Sequence, residues 1–235
     1  MKNNFVEGNY EDKYKADNPV SRFLVKTFLD SFKSLLSMVG FCPSKMVEIG
    51  CGEGELLKIM VNFFPKTKVS ACDLSLGEIQ KAKKNCSELN VVFLTQNAEE
   101  LSKFRDGEFD LTVCCEVLEH LKNPNKGLSE IKRISKKDVI VSVPIEPVWR
   151  VLNILRGKYL KSFGNTPGHL NHWSVFSFQK LIRESGFCIK RKIISFPWQM
   201  YLIEGSEAQE VQGRLSPFLK NLRCKVASIV KYPIC

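Results

Sequence analysis

Between Lys45 and Pro144, short apolar runs alternate with amphipathic stretches of helical spacing. Strands are expected at 45–49 (KMVEI), 68–73 (KVSACD), 91–94 (VVFL), 109–115 (FDLTVCC) and 138–143 (DVIVSV). Helices are expected between them at 53–64, 75–88 and 126–135. Strands that read as near-continuous apolar runs are buried on both faces, and crossover helices make successive strands parallel. Since such crossovers are right-handed, the order predicts a doubly wound, Rossmann-like α/β sheet.

The flanks follow other rhythms. Residues 19–39 place apolar side chains at three- and four-residue spacing, predicting a helix that Gly40 and Pro43 stop. Past Pro144 the alternation breaks into an expected helix at 146–160 and a Gly/Asn/Pro-rich loop at 161–174. A helix at 175–185 then precedes apolar segments at 187–195 and 199–204 that suit a hairpin. With no repeat or linker, a single domain is expected over 1–235. Its parts are an N-terminal helical segment (1–44), a cofactor-binding core (45–144), a lid (145–175) and a terminal helix, hairpin and C-terminal helix (176–235).

Composition narrows the setting. No apolar run is long enough to cross a bilayer, and the polar N-terminus lacks the core of a secretory signal, so a cytoplasmic location is expected. Nine cysteines, an odd count with no C-x-x-C pair, fit free thiols in a reducing compartment better than zinc or disulfides. The net charge of +10, clustered at 81–84, 132–137, 156–161 and 190–192, favours anionic partners. No RNA-binding strand signature accompanies it.

The stretch VEIGCGEGE (47–55) joins the first strand to a helix through Gly50, Gly52 and Gly54. Glycine permits a sharp turn and close approach of a ligand to the backbone, facing helix N–H groups. The spacing is G-x-G-x-G rather than the dinucleotide G-x-G-x-x-G, and Glu48 and Glu53 flank it. Such acids suit a ligand carrying an ammonium and a sulfonium better than a pyrophosphate. Asp73, at the tip of the second strand, is placed to accept both ribose hydroxyls of a nucleoside, or else to cap the next helix. In TQNAEEL (95–101), Asn97 is placed to bond an exocyclic amine or to make a plain turn.

Taken in order, VEIGCGEG, ACDLS, QNAEEL, FDLTVCCEVLEHL and VIVSVP resemble the class I S-adenosylmethionine-dependent methyltransferases over about residues 45–190. The flavour is similar to the ubiquinone-biosynthesis O-methyltransferase branch. The resemblance implies a seven-stranded sheet whose last strand runs antiparallel. It further implies that Glu48, Gly50, Cys51, Gly52 and Gly54 hold the methionine part of the cofactor. Asp73 would take the ribose with Leu74 packed nearby, and Asn97, Ala98 and Glu99 would lie at the adenine. The family often has Asp where this chain has Asn97.

Glu116 follows the fourth strand at the ligand-binding edge, beside the cofactor's amino-acid end. Position 120 is four after 116, the same face of any helix starting there. The chain's three histidines, His120, His169 and His172, fall in two segments near that edge. Three readings stand side by side. Glu116, Glu119 and His120, with His169 or His172, offer ligands to a Mg²⁺- or Mn²⁺-type ion, as in small-RNA 3′-terminal 2′-O-methyltransferases. Alternatively His120, His169 or His172 acts as general base, with His120 and His169 favoured. In the third reading Glu119 and His120 are structural.

The lid mixes Trp149, Tyr159, Phe163 and Trp173 with basic residues, which predicts an apolar acceptor pocket with a cationic rim. At 217–235, Phe218, Leu222, Val226 and Ile229 line one face of an expected basic helix that either packs on the domain or lies on an anionic membrane. The expected activity is methyl transfer from S-adenosylmethionine to a small or lipid-like acceptor, at oxygen. An RNA methyltransferase, metal-assisted at a 2′-hydroxyl, and a cofactor-binding regulator without turnover are the alternatives.

Overall fold

The computed structural model describes residues 19–205; the expected helix at 217–235 lies outside them. The elements run α1 (Pro19–Ser37), β1 (Lys45–Ile49), α2 (Glu55–Phe63), β2 (Lys68–Asp73), α3 (Leu76–Asn85), β3 (Val91–Thr95), β4 (Phe109–Cys115), α4 (Pro124–Ile134) and β5 (Ser135–Pro144). Then follow α5 (Val148–Leu155), α6 (Val175–Glu184), β6 (Ile189–Ser195) and β7 (Trp198–Glu204). The sheet order is β3-β2-β1-β4-β5-β7-β6. Strands β1 to β5 are parallel, and β7 runs antiparallel to both β5 and β6, as expected for the last strand.

Alternation along each strand feeds two cores. Met46, Ala71, Leu111, Val113 and Ile140 point to the side where α1, α2 and α3 bury Phe32, Leu36, Leu57, Met60 and Ile79. Val47, Ile49, Val139, Val141 and Val143 point to the other, against Leu128, Ile131, Phe178 and Ile182 of α4 and α6. With both faces covered, a parallel sheet is exposed only at its strand ends, so a ligand meets it there.

Local chemistry sets the boundaries. Side-chain oxygens of Ser75, Asn123 and Ser174 accept the N–H groups of Glu78, Lys126 and Ser177, capping α3, α4 and α6. Helix α2 has no such cap; Gly54, at φ 88°, opens it, so it starts at Glu55 rather than 53. Helix α5 is shorter than its expected 146–160, because Gly157 turns left-handed at φ 69°. Strand β5 starts at Ser135 with no loop after α4; the Ser135 hydroxyl bridges Ile131 O (2.5 Å) and Thr112 Oγ1 (2.7 Å).

Cys51, Cys72, Cys86 and Cys114 are free thiols, whereas Cys42 is disulfide-bonded, against the expectation of free thiols. Among the described residues no helix is long and apolar enough to cross a membrane.

Candidate active site

The glycine loop is strung between two strands. The N–H groups of Gly50 and Cys51 both donate to Cys72 O, at 2.7 and 3.0 Å, which pins the loop to the end of β2. Gly50, Gly52 and Gly54 lie at φ 71°, 48° and 88°, a left-handed run that only glycine takes at low cost. The Asp73 carboxylate closes the loop: Oδ2 accepts Gly52 N–H (3.0 Å) and Oδ1 accepts Ser75 N–H (2.8 Å). Ser75, not Asp73, caps α3. Each Asp73 oxygen keeps a lone pair for an outside hydroxyl. Leu74 stays exposed beside it.

The electrostatics of this edge are acidic. Glu48 is buried in β1 at the base of the loop. Burial pushes the Cys51 thiol well up, and the neighbouring Glu48 and Asp73 push it further. Burial and Asp73 likewise push Cys72 up to about 12. Both sulfurs stay protonated and inert at neutral pH. A site walled by carboxylates fits a cationic nucleoside such as S-adenosylmethionine and disfavours a polyphosphate.

Beyond β3, Asn97 is exposed and Ala98 buried, and Asn97 Oδ1 accepts Glu99 N–H (2.9 Å) in a side-chain turn. Glu99 Oε1 accepts Asn123 N–H (3.0 Å), tying this loop to the start of α4.

After β4 no regular helix begins at Glu116, so the expectation of one helical face for positions 116 and 120 is corrected. Glu116 takes a left-handed backbone, φ 61°, and a short 3₁₀ helix follows at Leu118–His120. Its N–H donates to Ser142 O (3.1 Å), and its Oε1 accepts the Ser142 hydroxyl (2.9 Å). Glu116 therefore faces β5 while His120 faces the lid.

The lid returns onto this turn. Leu170 and Asn171 N–H both donate to Glu119 O (2.8 and 3.0 Å), and Asn171 Nδ2 donates to Leu121 O (2.7 Å). His120 Nδ1 lies 3.0 Å from Gly168 O. A carbonyl only accepts, so the proton of a neutral ring sits on Nδ1 and the basic lone pair on Nε2. That nitrogen is 4.0 Å from Oε1 of Glu119, whose side chain is buried. The His169 ring meets His120 edge-on at 4.8 Å and stacks on Trp149 at 6.3 Å.

Among the described residues, Glu119, His120 and His169 form the group suited to hold a metal, with ligand atoms within 4.8 Å of one another. Of the set expected from sequence, Glu119, His120 and the His169 alternative fall in this group, whereas Glu116 is turned to Ser142. His172, the other alternative, lies outside it, with Nε2 2.7 Å from Asn165 Oδ1. Burial and the nearby Arg150 hold the His172 pKa below its usual value. Nothing in the sequence pattern marks Ser142, Gly168 or Asn171, since their contacts exist only once the lid has folded back.

A glycine loop and an acid at the carboxyl ends of parallel strands are features of doubly wound α/β sheets. Residues 47–143 match the family described as "Methyltransferase domain". Malonyl-[acyl-carrier protein] O-methyltransferase of Anoxybacillus flavithermus is 26% identical over 43% of this chain and 38% of its own length. Ubiquinone biosynthesis O-methyltransferase of Methylococcus capsulatus is 32% identical over 39% of each. The chain thus spans about two fifths of both relatives. Among solved structures, magnesium protoporphyrin IX methyltransferase from Synechocystis PCC 6803, with bound SAH, superposes with TM-score 0.63 at 21% identity, covering 83% of this chain and 91% of that one. A SAM-dependent methyltransferase from Aquifex aeolicus gives 0.62 at 16% identity, covering 83% and 97%. Residues 47–143 thus match a methyltransferase domain, on a fold that the solved structures share.

Proposed function

We propose that the protein transfers the methyl group of S-adenosylmethionine to an oxygen of a small or lipid-like acceptor. When bound, S-adenosylmethionine supplies a methyl carbon on a sulfonium leaving group. In this reading Glu48 and the Gly50–Gly54 loop, with Cys51, hold its methionine part. Asp73 takes the ribose, with Leu74 beside it. Asn97, Ala98 and Glu99 border the adenine, and Glu116 the amino-acid end. Ser142 orients Glu116 and does not touch the ligand.

The observation that carries the reaction is the 3.0 Å contact of His120 Nδ1 with Gly168 O. With Nδ1–H held by Gly168 O, Nε2 is ready to take the proton of an acceptor hydroxyl as its oxygen bonds to the methyl carbon and the carbon–sulfur bond breaks. The imidazolium so formed would have the Glu119 carboxylate 4.0 Å away. His169, on the lid, borders the same space and brings the acceptor into line, the larger part of catalysis for so good a leaving group. The two relatives are named as O-methyltransferases, which supports oxygen as the acceptor atom.

Calorimetry with S-adenosylmethionine tests the cofactor assignments. Asp73→Ala should weaken binding at least about tenfold, as lost hydrogen bonds to two hydroxyls imply; unchanged affinity removes the ribose role. His120→Ala should lower kcat about 10²–10⁴-fold at unchanged cofactor affinity and abolish the acidic limb of the pH profile. Labelled methyl transfer to a panel of phenols and lipids supplies the readout. The Glu119–His120–His169 group favours one second reading, a bound divalent ion. Activity that chelation removes and a metal ion restores would replace the general base by that ion.

A further inference from the structure

The lid has a second side. Helix α5 is inside out: its one fully buried side chain is the polar Asn153, while Val151, Ile154 and Leu155, one stripe at i, i+3, i+4, look outward. The stripe continues beyond the helix into Leu160 and Phe163 of the following turn. Leu155, Leu160 and Phe163 are 77%, 58% and 77% exposed, far more than apolar side chains of a packed helix.

This presentation is built rather than loose. Asn153 Nδ2 donates to Gly164 O (2.8 Å) and Thr166 Oγ1 (3.1 Å), and Trp149 Nε1 donates to Thr166 Oγ1 (2.8 Å). Gly164 packs so tightly on α5 that a Cβ there would lie 2.2 Å from Arg150 O. Tyr159 and Phe163 both take left-handed backbones, φ 54° and 50°, unusual for aromatic residues. Asn153 and Trp149 thus hold the turn from its inner side, while Leu155, Leu160 and Phe163 face out.

Charge completes the surface. From Pro147 to Arg183 there is no Asp or Glu, while Arg150, Arg156, Lys158, Lys161, Lys180 and Arg183 are all basic. Exposed apolar side chains interleaved along 151–163 with Arg156, Lys158 and Lys161 match the boundary between acyl chains and anionic headgroups. A twofold contact with a second copy would set these cations against their own equivalents, which is repulsive.

We propose that the outer face of α5 and of the 159–163 turn is a docking surface for an anionic lipid bilayer. The inner face of the same segment carries Trp149 and His169, so docking would seat the lid between membrane and site. The proposal is independent of the reaction assigned above.

Flotation of the full chain with vesicles of phosphatidylcholine, with or without phosphatidylglycerol, tests it. Binding is expected only to the anionic vesicles and should weaken as salt shortens the screening length. Leu155→Glu with Leu160→Glu should reduce partitioning at least about tenfold, with S-adenosylmethionine affinity and far-UV spectrum unchanged. Arg156→Ala with Lys161→Ala, which alters no apolar contact, should flatten the salt dependence. Absence of flotation, equal binding to neutral vesicles, or undiminished binding by the Leu155/Leu160 variant would each overturn the proposal. So would a concentration-dependent dimer of the wild type that the variant abolishes.

Discussion

Gly50 and Val117 meet where the glycine loop abuts the segment after β4. A Cβ on Gly50 would sit 2.2 Å from Val117 Cγ2, and the φ of 71° is itself unfavourable to any side chain. Gly50→Ala should therefore destabilise the fold by about 1–3 kcal/mol through overpacking and strain. Urea denaturation measures it, and adding Val117→Ala should recover the overpacking part but not the backbone part. Asp110 gives a second residue-level test. Burial alone would raise its carboxyl, but hydrogen bonds from the Ser44 hydroxyl and N–H, and the Lys137 ammonium, outweigh it and hold the pKa at about 2. A depressed acid stabilises the fold above its unfolded pKa near 3.8 and loses that contribution as pH falls towards 2. Asp110→Asn should thus be less stable than the wild type at pH 6, and the gap should narrow between about pH 4 and 2.

At the scale of elements, the apolar runs KMVEI, KVSACD and FDLTVCC are strands at the expected residues, because central strands have few other ways to be buried. Strand β5 extends three residues earlier than expected: Ser135, the last residue of the expected helix, pairs with Phe109, and Lys136 and Lys137 fall in the register shift before Asp138. The segment from Glu116 to His120 misleads more deeply, since a helical spacing was legible but the left-handed Glu116 was not. The meeting of His120 with His169, 49 positions apart, is legible only as a shared edge; the distance depends on how the lid folds. The hairpin was legible as two apolar segments, but its lock was not. Lys190 Nζ reaches both oxygens of buried Asp138 at 2.7 and 2.9 Å, with Asp138 on β5 and Lys190 on β6, the strand beyond β7. Lys190→Met would leave that carboxylate buried and unpaired, a loss on the order of 3 kcal/mol. Thermal unfolding should show it, and Asp138→Asn in the same background should restore part.

Over the whole molecule the charges are sorted. The glycine loop is bordered by Glu48 and Asp73, within a chain whose net charge is +10. A cationic cofactor thus finds a local acidic edge on a basic protein, and its binding should couple to global stability. At a hundredfold excess over Kd, S-adenosylmethionine should add about 2.7 kcal/mol to unfolding. The melting temperature should rise with ligand concentration in the wild type and rise less in Asp73→Ala.

The lid is moored to the core largely through main-chain atoms: Leu170 and Asn171 N–H on Glu119 O, and Glu146 N–H on Trp173 O. To this mooring the segment between Pro147 and Gly168 adds Trp149, which packs on Trp198 of β7. The insert is therefore a replaceable cassette: a foreign loop that ends in the same geometry, with a Trp at 149 to meet Trp198 and an Asn at 171 to reach Leu121 O, can be grafted onto the same sheet. Acceptor range can diverge in evolution, or be rewritten by design, while the machinery of the glycine loop stays fixed.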